Sequence, residues 1–444
     1  MDNASSPKLS AVDLKAAKSN PVATFQPMAW SMADIRRAIP GHLFERNTPL
    51  GLYYLARDVV LAVALWFAAV KAELFLDGFA ASNAAMSGPV TVWISGSGST
   101  TAMMIMLART ALWLTYWWFQ GLILTGLWTI GHECGHGAFS SSRIVCDVLG
   151  FILHTALWTP YFSWRIVHHR HHANHASMER DEVYVPWTRS ELGLFPEKVA
   201  ISENGVEHEH GYDDHELDYS EYFGDTPVWT LFTLLRQQFL AFPAYLFFNV
   251  SGQRNYPKWT NHFNPNSILF KSSQASAVIA SDLGILAMVV LTAKACALFG
   301  GWTVLKYYGI PWLLVSHWFI MITYLHHTSP DLPHYRNGAW NFQRGASATM
   351  DRDFLGWQGR FFLHDVAHFH VVHHFFPQMP FYNGEEATKH LKAFIGEHYH
   401  ASDEPVFPAL WKTYNECQFV DDEGDVLFYR NKKGQFAATA QTQG

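Results

Sequence analysis

Apolar residues gather into four long runs, at about Leu55–Phe75, Thr101–Ile130, Ala275–Phe299 and Trp302–Leu325. A bilayer core of about 30 Å needs roughly 20 helical residues at about 1.5 Å each. Each run therefore predicts a membrane-spanning helix. The second predicts a helix of about 45 Å, so its end at Gly131-His132-Glu133 should stand clear of the core. A Gly/Ser-rich stretch, Asn83–Ser99, joins the first two runs, and Gly300-Gly301 joins the last two. Two hairpins follow, each entering and leaving on one face. The fourth run also ends on histidines, His326 and His327.

Two further apolar stretches, Val148–Trp164 and Val228–Val250, are interrupted. The second contains Arg236, Gln237, Gln238 and Pro243. They are expected as interfacial or buried helices, with a span the alternative for the longer one. Thr188–Thr226 is acidic and has little apolar periodicity, which predicts a solvated excursion. It is a solvated face or a docking surface for a basic partner, and its His208, His210 and His215 are not expected to act. Met1–Trp30 has no signal-peptide pattern. Ser31 followed by Asp34 predicts a helix N-cap, and Pro40-Gly41 a stop.

Composition supports a membrane protein. Of 444 residues, 49% are hydrophobic and only 16% charged, against about 25% charged in soluble domains. The 18 Trp and 33 Phe are in excess, and Trp and Tyr favour membrane interfaces. A mean hydropathy of -0.02 requires large water-facing parts beside the spans. The net charge of -7 leaves no nucleic-acid footprint. Cys134, Cys146, Cys296 and Cys417 form no CxxC pair, which suits a reducing compartment. Arg36, Arg37, Arg46, Arg143, Arg165, Arg170 and Lys271 fall on the expected histidine face, which places that face in the cytosol.

The chemistry lies in the 25 histidines. His132-Glu133-Cys134-Gly135-His136 puts two imidazoles at i and i+4 on one helix face. In His168-His169-Arg170-His171-His172, positions 168, 171 and 172 share a face and His169 points away. His370-Val371-Val372-His373-His374 repeats that spacing. His327 closes the fourth run on the same face, as a ninth candidate. Unpaired imidazoles beside apolar segments cost free energy, so so many are not core residues. A single zinc site takes about four ligands. This set suits two metals, and with no cysteine cluster or dense carboxylate set, iron handling O₂ is favoured. Asp181 and Glu182 are available to orient ligand N–H groups, or form a surface pair. His154, His262, His317, His334, His364, His368, His390, His398 and His400 default to structural or surface roles.

The boxes and their flanks resemble the membrane fatty-acid desaturases, within them the microsomal oleate (Δ12) desaturase-like branch of plants and fungi. The matching flanks are Asp34–Pro40, Glu179–Val183, Ser281–Gly284, Leu332–Tyr335 and Met379–Asn383, and similarity runs from about residue 24 to 430. The resemblance implies an all-α integral membrane fold, four transmembrane helices under a cytosolic histidine-rich di-iron cap. The domain would cover 51–430, after a cytosolic segment 1–50 and before a flexible tail 431–444. It implies two Fe²⁺ ions, with O₂ as co-substrate. The catalytic ligands would be His132, His136, His168, His171, His172, His370, His373 and His374, with His327 the ninth. It implies a phospholipid-linked acyl substrate, and electrons from separate cytochrome b5 and NADH-dependent reductase. It places a multi-pass protein in the endoplasmic reticulum membrane with the boxes and both termini cytosolic.

The expected reaction is desaturation of oleoyl to linoleoyl. Gly137, His169, His368 and Gly131 depart from the branch's pattern, and Gly131 is shared with divergent members. An acetylenase, conjugase or hydroxylase is therefore the alternative within the family. Gly131 either leaves space beside the reacting carbon or lets a neighbouring helix approach. Outside the family, a histidine-lined metal transporter predicts polar residues within the spans, whereas the boxes sit at span ends. A membrane zinc protease with Glu133 as base leaves both HxxHH boxes without a purpose.

Overall fold

The computed structural model describes Met28, residues 30–86, residues 97–194, Gly224 and residues 226–436. Most of the acidic excursion, with its three histidines, and the stretch before Met28 lie outside them. Helix α1 is Met32–Ala38, opened as expected by a Ser31/Asp34 capping box. Then come α2 (Thr48–Met86), α3 (Ser97–His136), α4 (Arg143–Ala156), α5 (Tyr161–Asn174), α6 (Pro227–Phe248) and α7 (Ala275–Phe299). Helix α8 is Gly301–His327. Short helices follow: α9 (Phe342–Ser347), α10 (Trp357–Phe362), α11 (His370–Phe375), α12 (Gly384–Ile395) and α13 (Val406–Glu416). The strands are two- and three-residue pieces: β1 (His334–Tyr335) pairs antiparallel with β4 (Val426–Leu427), and β2 (Met350–Arg352) parallel with β3 (His400–Ser402). The fold is an all-α membrane fold.

Among the described residues, α2, α7 and α8 are long and apolar enough to cross a membrane. Their outward side chains, such as Val60, Phe67, Phe75, Leu286 and Leu298, are exposed. That is unfavourable in water and suits hydrocarbon. Helix α3 has 40 residues, yet is not in that set. Trp113, Thr115, Tyr116, Trp117, Trp118 and Gln120 dilute its apolar run. It packs lengthwise against α2 and α8. At about 60 Å it is about twice the hydrocarbon thickness, so one end must stand outside. The helix continues through the first histidine box, six residues beyond the apolar run that ends at Ile130.

The hairpin of α2 and α3 does bring its ends together. Thr48 and Ser140 hydroxyls lie 2.7 Å apart. In α8, Pro311 cannot donate to the carbonyl of Tyr307, and Leu305–Gly309 forms a π turn. The Tyr116 hydroxyl donates to that carbonyl at 2.8 Å, and Trp117 Nε1 to Lys306 O at 2.9 Å. The aromatic residues that dilute α3 thus repair the backbone of α8.

Val148–Trp164, read as interrupted, is divided between two helices. Helices α4 and α5 meet at 106°. Pro160 ends any helical continuation there, since the residue before proline avoids the α region. The turn aims α5 across the end of α3. The cap has its own core, where Ile35 of α1 and Ile39 at its C-cap meet Val371, Phe375, Leu391 and Ile395. Buried Asp58 of α2 ties the cap to the spans: it accepts from His364 Nε2 at 2.6 Å and from Arg57 Nε at 2.9 Å. Residues 431–436, expected as the start of a flexible tail, form a turn closed by Asn431 N donating to Gln435 O at 3.0 Å.

Candidate metal centre

Four segments far apart in sequence converge above the spans: the end of α3, the last turns of α5, the end of α8, and α11. The i, i+4 pairs place His132 and His136 on one face of α3, and His168 and His172 on one face of α5. With His373 of α11 they form one cluster. His171, three residues after His168, is turned to the other side. There it meets His327, while His327 in turn meets His370 and His374. The nine candidates from the sequence thus converge as one group of five and a further set of four linked through His327.

The spacing fits metal ligation. His132 Nε2 and His136 Nε2 are 3.3 Å apart, His168 Nε2 and His172 Nε2 3.1 Å, and His327 Nε2 and His370 Nε2 3.4 Å. Two imidazoles on one ion at bonds of about 2.1 Å have nitrogens separated by about 3.0–3.4 Å. His373 Nε2 and both nitrogens of His374 are buried without a hydrogen-bond partner. Burial and neighbouring imidazoles hold His370 and His374 well below the usual histidine range. The same forces push His373 down to about 3. These rings are neutral at physiological pH and carry free lone pairs, as ligands must.

A carboxylate stands behind each cluster. Glu133 Oε1 lies 3.1 Å from His132 Nδ1 and 4.0 Å from His373 Nδ1. That position behind the rings suits a carboxylate that orients imidazoles. Asp181 places both oxygens 3.0 Å from His171 Nδ1. Its imidazole partners hold its carboxyl well below the usual carboxylate range, against the opposing effect of burial. Asp181 is therefore placed for the orienting role, and Glu182 is not. Glu182 instead pairs with Arg170 at 2.6 Å and accepts from Tyr256 at 2.8 Å.

The remaining histidines sort by contact. His169 Nε2 donates to Gly135 O at 2.9 Å, outside both clusters. His326 Nε2 donates to Ala367 O at 2.7 Å, and His368 faces Asp353 at 3.2 Å. His175 was missed. It caps α5, is 2% exposed, and groups with His171 and His327. Its signal was present: it lies at i+7 from His168 and i+4 from His171.

A cavity of about 160 Å³ opens beneath the clusters. Trp128, Phe242, Tyr245, Phe319 and Ile320 line it, and it ends on His132 and His168 of one cluster and His171, His327 and His370 of the other. Gly131 is not part of it. A Cβ there would come within 2.3 Å of His154 Cδ2. His154 is buried, stacked on Trp128 at 4.8 Å and hydrogen-bonded to Trp128 O at 3.0 Å. The glycine lets α4 approach α3, and its missing Cβ points at His154.

The family model described as fatty acid desaturase matches residues 111–405. A Δ12 fatty acid desaturase of Mortierella isabellina is 40% identical over 406 residues, 91% of this chain and 92% of that protein. One from Mortierella alpina has the same identity and coverage, 40%, 91% and 92%. An oleoyl-12-hydroxylase of Ricinus communis is 38% identical over 91% of each chain.

Proposed function

The chain belongs to the fatty acid desaturase family, and from that premise we propose that it converts oleoyl to linoleoyl chains in membrane lipid, at the Δ12 position. It is an oxidoreductase acting on acyl lipids. The observation that carries the reading is one apolar cavity whose end touches histidines of both clusters. An extended acyl chain fits such a lining, and its depth of insertion selects which methylene pair lies beside the metals.

The donor set fits two iron ions. His132, His136, His168, His172 and His373 would hold one, and His171, His327, His370 and His374 the other. Two bound iron ions, with O₂ and two electrons, supply the oxidising power that side chains lack for an unactivated C–H bond. The balance is one CH₂–CH₂ pair, O₂, two electrons and two protons giving one CH=CH and two waters. Trp128, Phe242 and Phe319 keep the reacting carbons dry and fix the chain's path. Glu133 and Asp181 hold their ligand rings by accepting from Nδ1, which leaves Nε2 for the metal.

The reading extends to the rest of the system. Helices α2, α3, α7 and α8 are four spans of a domain covering 51–430. The histidine cap and both termini face the cytosol, and the protein resides in the endoplasmic reticulum membrane. Separate cytochrome b5 and an NADH-dependent reductase supply the electrons. The cationic residues on the histidine face support the orientation.

The test is expression in a yeast that makes oleate but no linoleate, with gas chromatography of its lipids and iron analysis of the purified protein. Linoleate and two irons per chain are expected. A hydroxy or acetylenic acid as the main product overturns the assigned reaction, and one zinc per chain overturns the di-iron centre.

A further inference from the structure

The second cluster has four assigned imidazoles where the first has five, and we propose that His175 supplies a fifth ligand to the second metal through Nδ1. This rests on the reading that each cluster holds an iron ion.

The hydrogen bonds of His175 leave it one free nitrogen. Nε2 lies 2.9 Å from the carbonyl of Ala348. A carbonyl only accepts, so Nε2 carries the proton, and a neutral ring then has a bare lone pair on Nδ1. Nδ1 is buried and has no hydrogen-bond partner. Asp181 Oδ2 lies 3.6 Å from it, longer than a hydrogen bond.

The ring also sits among the assigned ligands. Its centroid is 4.9 Å from that of His171, 4.3 Å from His327 and 4.8 Å from His374. The candidate donor atoms of His171, His175 and His327 all lie within 4.8 Å of one another. The backbone holds it there, because Trp340 Nε1 donates to His175 O at 2.9 Å. Gly345 packs so closely that a Cβ would come within 2.4 Å of the same carbonyl. His175 follows the last helical turn of α5, so its side chain reaches the second cluster from beyond the helix end.

The full-length protein, purified from cells grown on ⁵⁷Fe, is measured for iron content and by Mössbauer spectroscopy. His175→Gln keeps an amide N–H for Ala348 O and removes the donor at Nδ1. In wild type, two irons per chain and two quadrupole doublets are expected. In His175→Gln, one doublet should shift or vanish, with iron falling toward one per chain, while the other doublet stays. Two irons and both doublets unchanged in the variant would overturn the proposal and leave the di-iron reading standing. Fewer than two irons in wild type would overturn the di-iron reading and this inference with it. If the glutamine variant does not accumulate, a structure of the iron-loaded wild type decides. Nδ1 at about 2.1 Å from the metal supports ligation, and an intervening water overturns it.

Discussion

Both carboxylate oxygens of Asp181 lie 3.0 Å from Nδ1 of His171. The contact fixes the tautomer of His171 and leaves Nε2 toward the second cluster. Asp181→Asn keeps the volume and removes the charge. Loss of such an orienting partner typically costs about 10–100-fold in metal affinity. Iron titration of the variant should show that loss at one site only, with turnover reduced and KM for the acyl lipid little changed. Equal affinity at both sites would detach Asp181 from metal binding.

Removing one ligand from either cluster should abolish product. His132→Ala and His373→Ala each take an imidazole from the first centre, and His171→Ala takes one from the second. Linoleate should fall below detection while immunoblots still find the protein in membranes. Full activity in any of the three removes that residue from the ligand set.

His169→Arg should retain most activity and both irons. The native ring donates to Gly135 O at 2.9 Å, outside the clusters. An arginine N–H can make the same contact. Lost iron in this variant would mean that His169 is needed for ligation after all.

Gly131→Ala should lower stability and leave the product unchanged. The added methyl meets His154 at 2.3 Å, and overpacking of this kind costs about 1–3 kcal/mol. Thermal unfolding of the purified protein measures the first effect and gas chromatography the second. Adding His154→Ala should recover part of the stability. An altered ratio of alkene to other products would return Gly131 to the reacting carbon.

Ala241 lines the cavity from α6. Ala241→Trp should block it, lowering turnover at least about 10-fold, while iron content stays at the wild-type value. A misplacement of about 1 Å can cost about 10²-fold in rate, so a blocked acyl path is a severe lesion. Undiminished turnover would place the substrate elsewhere.

Much of the centre was legible because helical spacing is a local property. His132 with His136, and His168 with His172, need only the 3.6-residue period to share a face. What that period cannot show is which face meets which centre. The division of α5 between two clusters depends on the 106° turn before it, and on where α8 and α11 arrive. His175 escaped because it stands outside the HxxHH box, although as the C-cap of α5 it continues the spacing at i+4 from His171. Gly131 was readable as a close approach, but its neighbour lies 23 residues on, across a turn no local pattern aims. Glu182 adjoins Asp181 in sequence, yet Arg170 and Tyr256 draw it away.

The candidate ligands run from His132 to His374 along the chain, and the two proposed sites share α5 and α11. A ribosome therefore delivers His373 and His374 only after every span has been made. On the proposed ligand set neither site is complete during insertion of the hairpins, and metal loading finishes late, after α11 has docked. Iron shortage should thus leave a fully inserted chain with an open cap, a form that a quality-control protease can tell from the finished enzyme.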